Sequence, residues 1–421
     1  MHVHLGCTLL LVLLVNEVLC RTTSSILQSQ LGAQGRSLVL VGGALSDNNA
    51  AVYNTIVQMA GGKGQARIGI VTSASLDPNT QYQGYSDVFI NRYGAAATLH
   101  INVSIWDSSV AIDDHLANQV RNMTGFFFGG GDQSRTVQAM YLAGHKDSPV
   151  LSAIRDQFMA GAVIAGSSAG SACQPSSVMV TGGVSWDALK DGAQTSSKHT
   201  DDLTYNPDGG LGFLEGYVID THFANRGREG RMIRLLSDTY TLSRGTRRGV
   251  GIDENTALVV THASTSNGRG QVLGEAGVTF FDLTSSYVDQ SQRYFSIRNV
   301  YLTYLTHGDV YHLHDHDVTF AQDKTPLLGN ENYDHALTST DIFYGKSSSS
   351  SRKPEFLRVA ASIFDARLDS SSYGTTYEKN PTFRVEMSKT GQSAVGYVKR
   401  AHDFHTDLHS YKNMYVSIHA A

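Results

Sequence analysis

The sequence predicts an α/β protein whose mainly parallel sheet is covered by helices on both faces. Apolar runs of strand length alternate with helical patterns through the first half of the chain, and this alternation is typical of parallel sheets. Two of the apolar runs lead into glycine clusters, at residues 38–43 and 125–131. Because ligands bind at the carboxyl ends of the strands in such sheets, we expect the functional residues at these turns.

The predicted elements follow one another in a regular order. Apolar runs predict strands near residues 38–43, 67–72, 97–103, 125–128, 162–167 and 217–223. Helical periodicity predicts helices near residues 52–59, 85–93, 115–123, 136–143, 150–159 and 227–242. Residues 249–320 read as β-rich, and the pattern becomes irregular after about residue 323.

Residues 162–172 carry the strongest functional signal in the chain. A short apolar run ends in Gly-x-Ser-x-Gly with Ser168 at its centre, and small residues lead into a helix. This pattern is typical of a nucleophile elbow, in which Gly166 and Gly170 let a strand and a helix approach closely. The backbone N–H of Ala169 would then point at a developing oxyanion. Taken alone, the motif fits a small-residue turn without catalysis equally well.

A serine nucleophile needs a base, and the base needs a group that orients it. His222 ends a buried strand, which can hold its side chain rigidly at the edge of the sheet. Two carboxylates are candidates for the orienting acid. Asp187 lies between Ser168 and His222 in sequence, and Glu254 follows both. The residues alone leave the choice between these two acids open.

Four short blocks stand out along the chain, at residues 128–133, 166–170, 220–231 and 251–257. They read Phe-Gly-Gly-Gly-Asp-Gln, Gly-Ser-Ser-Ala-Gly, Asp-Thr-His-Phe-Ala-Asn-Arg-Gly-Arg-Glu-Gly-Arg and Gly-Ile-Asp-Glu-Asn-Thr-Ala. Together and in this order they resemble the cyanophycinase and aspartyl dipeptidase (dipeptidase E) family of serine peptidases. The resemblance implies a three-layer α/β/α sandwich like that of the class I glutamine amidotransferases, with serine where those enzymes have cysteine.

The resemblance implies catalytic roles for individual residues. Ser168 would be the nucleophile and His222 the base. Asp187 would be the acid, because the acidic member of the family lies between the other two in sequence. Glu254 remains the alternative acid.

The resemblance also implies an oxyanion hole and a substrate pocket. Gly130 or Gly131 would supply a second oxyanion N–H beside that of Ala169. The intact arginine set favours the cyanophycinase branch, although Thr221 stands where cyanophycinases carry Gln. Guanidinium groups can bind the carboxylates of an acidic peptide in a forked geometry, but arginines more often lie on a solvated helix face. The implied pocket contains Gln133, Asp220, Arg226, Arg228 and Arg231.

Composition and charge exclude several classes of protein. The chain has 421 residues, of which 41% are hydrophobic and 17% charged, so a sizeable core is expected. Residues 1–20 are predicted to be a secretory signal peptide, because their apolar run is too short to span a bilayer. Residues 21–35 are predicted to be a polar, mobile lead-in. Loss of the signal peptide removes one acidic residue, Glu17, and changes the net charge from −5 to −4. A negative net charge does not favour binding to nucleic acid.

Cysteines and sequons add two expectations about the mature chain. Cys173 is the only cysteine after residue 20, so no intrachain disulfide is expected. Asn102 and Asn122 each begin an Asn-x-Ser/Thr sequon and are predicted glycosylation sites.

We predict a secreted serine exopeptidase that hydrolyses β-aspartyl (isopeptide) or cyanophycin-like peptides through an acyl-enzyme on Ser168. Residues 36–322 would form the catalytic domain and residues 323–421 a C-terminal extension of unassigned structure. We expect no cofactor, no metal, no nucleic acid and no membrane anchor, and a homodimer is compatible with the sequence. One alternative is a catalytically silent secreted matrix or binding protein on the same fold. The other is an α/β-hydrolase esterase, although His222 follows the elbow more closely than in that fold.

Overall fold

The computed structural model describes residues 36–263, 265–343, 354–391, 393–401 and 407–421. The predicted signal peptide (residues 1–20) and lead-in (residues 21–35) lie outside these residues.

The described residues form nine α-helices. They are α1 (Ala50–Met59), α2 (Pro78–Asp87), α3 (Asp114–Val120), α4 (Gln133–Met140), α5 (Pro149–Met159), α6 (Ala169–Ala172), α7 (Ser185–Asp191), α8 (Glu229–Thr239) and α9 (Glu355–Phe364). A π-helical turn, Val88–Arg92, continues α2. Polar side chains cap α1 to α5 by accepting a hydrogen bond from a first-turn N–H, and these caps are Asn49, Asp77, Asp113, Asp132 and Ser148.

The first sheet is mixed and has a parallel centre. From one edge to the other its strands are β18 (Val318–Thr319), β17 (Val310–His312), β13 (Arg269–Gly274), β12 (Thr256–Thr261), β1 (Leu38–Val41), β7 (Val163–Ser167), β4 (Gly125–Phe128), β2 (Arg67–Val71) and β3 (Ala97–Ile101). The five strands from β1 to β3 pair in parallel, and the strands from β12 to β18 pair antiparallel. The predicted α/β class is confirmed.

Strand β1 shows why the first sheet needs helices on both faces. Successive side chains of a strand point to opposite faces. Leu38 and Leu40 join the hydrophobic cluster that contains the apolar faces of α3 and α5, whereas Val39 and Val41 join the cluster that contains α1. All four side chains are fully buried. The predicted three-layer arrangement follows from this double burial.

A second sheet, which the sequence pattern did not predict, is built largely from the second half of the chain. Its main strands are β10 (Val218–Thr221), β11 (Arg248–Ile252), β14 (Gly277–Asp282), β16 (Ile297–Thr306), β23 (Leu408–Ala420), β21 (Phe383–Ser388) and β20 (Ser371–Thr375). Three further strands pair at its side: β15 (Tyr287–Val288), β19 (Thr325–Pro326) and β22 (Val395–Lys399). Two small hairpins lie outside both sheets: β5 (Tyr141–Leu142) with β6 (Lys146–Asp147), and β8 (Met179–Gly182) with β9 (Thr204–Asn206).

The second sheet ties the C-terminal residues to the rest of the chain. Strand β23 pairs with β16, β21 and β22, so residues after 323 and residues before 322 share one sheet. Helix α9 and strands β20 to β23 all lie after residue 323. The irregular pattern of residues 323–421 therefore hides regular strands, and one of them, β23, pairs with β16 much earlier in the chain.

A buried ion pair joins the two parts of the chain at this sheet. The ammonium of Lys324 lies 2.6 Å from the carboxylate of Asp309, and neither side chain is exposed. The ammonium also donates to the hydroxyls of Thr306 at 2.8 Å and Ser410 at 3.0 Å. Ser410 lies in β23 and Thr306 ends β16. The pair therefore connects the C-terminal strand to the centre of the second sheet.

We expect Lys324→Met to destabilise the protein strongly, because it leaves the Asp309 carboxylate buried without a cation. Removal of one partner of a buried pair costs about 3–5 kcal/mol. Lys399→Met is the matched control, since Lys399 pairs with Asp323 at the surface and both side chains are about half exposed. An exposed pair contributes at most about 1 kcal/mol. Urea unfolding measures both, and equal small losses would contradict a structural role for the buried pair.

Candidate active site

The nucleophile elbow predicted at Ser168 is present in the structure. Strand β7 ends at Ser167, α6 begins at Ala169, and Ser168 between them has φ 56° and ψ −120°. A Cβ on Gly166 would lie 2.2 Å from the carbonyl oxygen of Gly170, and one on Gly170 would lie 1.9 Å from that of Phe128. Only glycine fits at these two positions, which lets strand and helix approach and presents Ser168 at the turn.

His222 directly follows β10 and reaches the serine. Its Nε2 lies 2.7 Å from the Ser168 Oγ. The backbone N–H of His222 donates to the carbonyl of Gly42 at 2.7 Å, and that of Ser168 donates to the carbonyl of Val41 at 3.1 Å. The end of β1 therefore holds both residues through their backbones. Gly43 is required beside the ring, because a Cβ there would lie 2.3 Å from the His222 Cε1.

The carboxylate that contacts His222 belongs to Glu254, which corrects the choice of Asp187. Oε1 of Glu254 lies 2.6 Å from the His222 Nδ1, so both ring nitrogens are engaged. Asp187 lies instead on α7, where its carboxylate is within 4.8 Å of those of Asp191 and Asp202.

Strand register explains why Glu254 reaches His222. Strands β10 and β11 are parallel neighbours, with Thr221 opposite Ile252. His222 follows the first strand by one residue and Glu254 follows the second by two, so both emerge at the same edge of the sheet. The choice of Asp187 as the acid follows the order of catalytic residues that the resemblance implies. That order contains no information on the pairing of β10 with β11.

The surroundings of His222 favour its neutral form. Burial lowers the pKa of His222 below its ordinary value of 6.5, and the charges of Arg226 and Arg228 act in the same direction, whereas Glu254 opposes them. An ionised Glu254 carboxylate only accepts hydrogen bonds, so Nδ1 carries the hydrogen and Nε2 accepts from the Ser168 hydroxyl. This is the tautomer that a general base for serine needs.

Two of the candidate oxyanion groups are the backbone N–H groups of Gly130 and Gly131. They belong to the loop between β4 and α4, which lies beside Ser168. A Cβ built on Gly130 would lie 3.4 Å from the Ser168 Cβ. Within the described ranges, no hydrogen-bond acceptor contacts the backbone N–H groups of Gly130, Gly131 or Ala169. These groups are therefore available to a developing oxyanion, and their role in catalysis stays a prediction.

Gln81 contacts this loop from another part of the chain, and the sequence analysis did not predict it. Its side-chain nitrogen donates to the carbonyl of Gly130 at 2.9 Å and thereby orients the loop beside the nucleophile. Gln81 lies on α2, 49 residues from its partner, and no local motif marks it. Sequence spacing alone holds no signal for such a contact.

The predicted substrate residues divide into a buried cluster and an exposed part. Asp220 accepts from Nε and Nη2 of Arg231 at 2.8 and 2.7 Å and from Nη1 of Arg228 at 3.0 Å. The remaining Nη1 of Arg231 donates to the carbonyl of Gly183 at 2.6 Å. Asp220 and Arg231 are 2% and 4% exposed. Their polar atoms bind one another and the protein backbone, and their predicted role in substrate binding stays a prediction.

The electrostatics of this cluster follow from the same contacts. Burial alone would raise the pKa of Asp220, but the charges of Arg231 and Arg228 outweigh it and lower the pKa. Burial and the neighbouring Arg231 lower the pKa of Arg228 to about 9.

Three of the predicted pocket residues keep some access to solvent. Arg226 is exposed and lies close enough to His222 for its charge to lower the pKa of the imidazole. Arg228 is partly exposed, with 16% of its side chain accessible. Gln133 is half-buried and donates to the carbonyl of Val180 at 2.8 Å.

A serine at a strand-to-helix elbow, bonded to a histidine that is bonded to a carboxylate, defines the site as that of a serine hydrolase. The family model described as Peptidase family S51 matches residues 38–267, which is more than half of the chain. The chain therefore belongs to Peptidase family S51 and is a serine-type peptidase.

The chain is also similar to individual proteins. The chain is 29% identical over 292 residues to a cyanophycinase of Synechococcus elongatus, which covers 67% of this chain and 81% of the relative. It is 27% identical over 291 residues to a cyanophycinase of Nostoc sp., which covers 67% and 88%. A crystal structure of a peptidase from an acI-B1 Actinobacterium aligns with 20% identity and a TM-score of 0.46, over 67% of this chain and 98% of that one. In the described ranges, every helix is too short or too polar to cross a lipid bilayer.

We expect Glu254→Gln to lower kcat by about four orders of magnitude, because the amide group can donate to Nδ1 and hold the imidazole in the wrong tautomer. Asp187→Asn is the matched control and should leave kcat within about twofold of the wild type, since both ring nitrogens of His222 are engaged by Ser168 and Glu254. Steady-state kinetics on one peptide substrate measures both variants. The reverse ranking would return the role to Asp187.

The pH profile should report the neutral imidazole. Because the pKa of His222 lies below 6.5 in the fold, the enzyme keeps an unprotonated base at mildly acidic pH. The acid limb of kcat/KM should therefore have its midpoint below 6.5. Arg226→Gln should move that midpoint upward, because it removes a positive charge that disfavours the imidazolium. A wild-type midpoint above 6.5 would contradict the assignment.

Proposed function

We propose that the chain is a secreted exopeptidase that hydrolyses β-aspartyl or cyanophycin-like peptides through an acyl-enzyme on Ser168. The observation that carries this proposal is the continuous hydrogen-bonded series from Ser168 through His222 to Glu254, with distances of 2.7 and 2.6 Å. The cyanophycinase relatives support the substrate class. Membership of Peptidase family S51 argues against an α/β-hydrolase esterase. The intact hydrogen bonds from Ser168 to His222 and from His222 to Glu254 argue against a catalytically silent protein.

The geometry supports a two-step mechanism. In the first step Oγ of Ser168 attacks the substrate carbonyl carbon while Nε2 of His222 takes the hydroxyl proton. Backbone N–H groups of Ala169 and the Gly130–Gly131 loop stabilise the oxyanion, and Glu254 stabilises the imidazolium. The C–N bond then breaks as His222 returns the proton to the leaving amine. In the second step a water molecule attacks the acyl-enzyme by the same route and releases the acid product.

Arg226 is the residue that best fits the recognition of an acidic peptide. It is exposed beside the base, whereas all three guanidinium nitrogens of Arg231 are bonded within the protein. Arg228 also binds Asp220 and Thr221 through Nη1, so it can contribute only its other nitrogens. We therefore assign carboxylate binding to Arg226, with support from Arg228. This assignment replaces the larger arginine set of the sequence analysis.

The proposed secretion depends on residues 1–20, which lie outside the described part of the chain. A secreted chain could carry glycans at its two sequons. Asn122 is exposed after α3, whereas Asn102 is half-buried and its Oδ1 is enclosed. Asn122 is therefore the better acceptor of the two.

The proposed activity is tested with a panel of β-aspartyl and α-aspartyl dipeptides, including β-Asp-Arg. We expect the wild type to cleave the β-linked peptides, and Ser168→Ala to lose about a million-fold in kcat because the nucleophile is absent. Arg226→Gln should raise KM for β-Asp-Arg by about tenfold, through the loss of one charge-assisted contact, and should leave a neutral activated ester nearly unaffected.

Arg121→Gln is the matched control for Arg226→Gln, since Arg121 is an exposed arginine that pairs with Asp156 at the surface. It should change neither substrate. Equal losses on the peptide and the ester in Arg226→Gln would show that Arg226 does not recognise the acidic group. Cleavage of α-linked peptides alone would overturn the proposed substrate class.

A further inference from the structure

Asp253 receives hydrogen bonds from three separate segments although its side chain is buried. Its Oδ1 accepts from the N–H of Ala224 at 2.9 Å. Its Oδ2 accepts from the hydroxyl of Tyr304 at 3.0 Å and from the N–H of Gly277 at 3.3 Å. Only 2% of Asp253 is exposed. Burial of a carboxylate costs free energy unless the group is hydrogen-bonded, so the fold is stabilised when all three donors stay in place. Asp253 therefore holds the three segments together.

These contacts connect Asp253 to the loop of the base and to the loop of the acid. Ala224 lies two residues after His222, and Asp253 immediately precedes Glu254. The bond from Ala224 to Asp253 therefore links the two loops that carry the His222 ring and the Glu254 carboxylate. We propose that Asp253 is a positioning residue for the His222–Glu254 pair and that Tyr304 holds Asp253 in place. This inference rests on the catalytic roles proposed above.

Tyr304 connects the site to a remote part of the chain. It lies in β16, near the middle of the second sheet, opposite Tyr411 of β23. Gly277 begins β14, the other neighbour of β16. Tyr304, Gly277 and Tyr411 all lie beyond the residues that match the family model. Support for the catalytic pair therefore comes from a sheet that includes the C-terminal strand.

The surroundings of Asp253 make its ionisation depend on the Tyr304 hydroxyl. Burial raises the pKa of Asp253 to about 6, and the hydrogen bonds from Ala224, Tyr304 and Gly277 counteract that rise. The titratable groups that face this carboxylate are Glu254 on its own loop, Glu229 on α8, Tyr304 on β16 and Tyr411 on β23. Loss of the Tyr304 hydroxyl should therefore raise the pKa of Asp253 further toward neutral pH. A protonated Asp253 would accept a weaker hydrogen bond from the N–H of Ala224.

Two tyrosine substitutions form a matched pair for the test. Tyr304→Phe removes the hydroxyl that binds Asp253. Tyr411→Phe is the control, because Tyr411 is equally buried, its ring lies 5.8 Å from that of Tyr304, and its hydroxyl has no hydrogen-bond partner within the described residues. The readout is the rate at which a fluorophosphonate labels Ser168, measured across pH, together with kcat and KM for peptide hydrolysis.

We expect Tyr304→Phe to lower the labelling rate and kcat by about tenfold, with KM within about twofold, and to move the acid limb upward by about one pH unit. Tyr411→Phe should match the wild type in all four quantities. Asp253→Asn, which keeps the shape but loses an acceptor, should lower the labelling rate further at every pH. If folded Tyr304→Phe and Asp253→Asn proteins retain wild-type rates and profiles, the positioning role is overturned.

The labelling assay separates this inference from the proposed function. If the wild type is not labelled at Ser168, the proposed nucleophile is wrong and the inference fails with it. If the wild type is labelled but no β-aspartyl peptide is cleaved, only the substrate proposal fails. Should Tyr304→Phe not fold, the comparison of Asp253→Asn with Tyr411→Phe still decides the question.

Discussion

The bond between His222 and Glu254 is the contact on which the geometry of the site depends. It joins two loops that leave adjacent parallel strands of the second sheet, whereas Ser168 leaves a strand of the first sheet. The nucleophile and its base therefore belong to different sheets. The end of β1 holds both residues beside each other at 2.7 Å, because the carbonyls of Val41 and Gly42 accept backbone hydrogen bonds from Ser168 and His222. The distance between Ser168 and His222 is therefore set where the two sheets meet.

That junction also holds unfavourable backbone conformations. Ser168 and His222 both have positive φ angles, of 56° and 48°, which cost non-glycine residues about 1–3 kcal/mol each. The surrounding structure over-determines these conformations: glycines allow close packing at the elbow and beside the imidazole, and buried strands fix the chain on either side. Such a conformation at the elbow separates the serine hydroxyl from the strand and turns it toward the imidazole. The strain is thus part of how the side chains are presented.

Local signals in the sequence predicted one part of the site, and distant pairings determined the rest. The elbow and the strand-end histidine depend on neighbouring residues, so their patterns are readable in one sequence. The acid depends on the register of β10 against β11, which no local pattern encodes, and this is why Asp187 was preferred. The same holds for the second sheet, since Tyr304 and Tyr411 pair across more than a hundred residues. The sequence predicts Arg231 as a substrate residue, but it does not reveal that Arg231 pairs with Asp220 inside the protein.

The charges of the site resolve a conflict between binding and catalysis. A positive pocket would attract the acidic peptide that we propose as the substrate. It also keeps the imidazole of His222 neutral before the reaction, but it disfavours the imidazolium that must form when Ser168 attacks. Pairing of Asp220 with Arg228 and Arg231 neutralises part of that positive charge inside the protein and leaves Arg226 exposed to the substrate. Glu254 then offsets the remaining repulsion at the ring where the proton arrives. A substrate carboxylate bound at Arg226 would reduce the repulsion further, so binding of the acidic group would itself favour proton transfer.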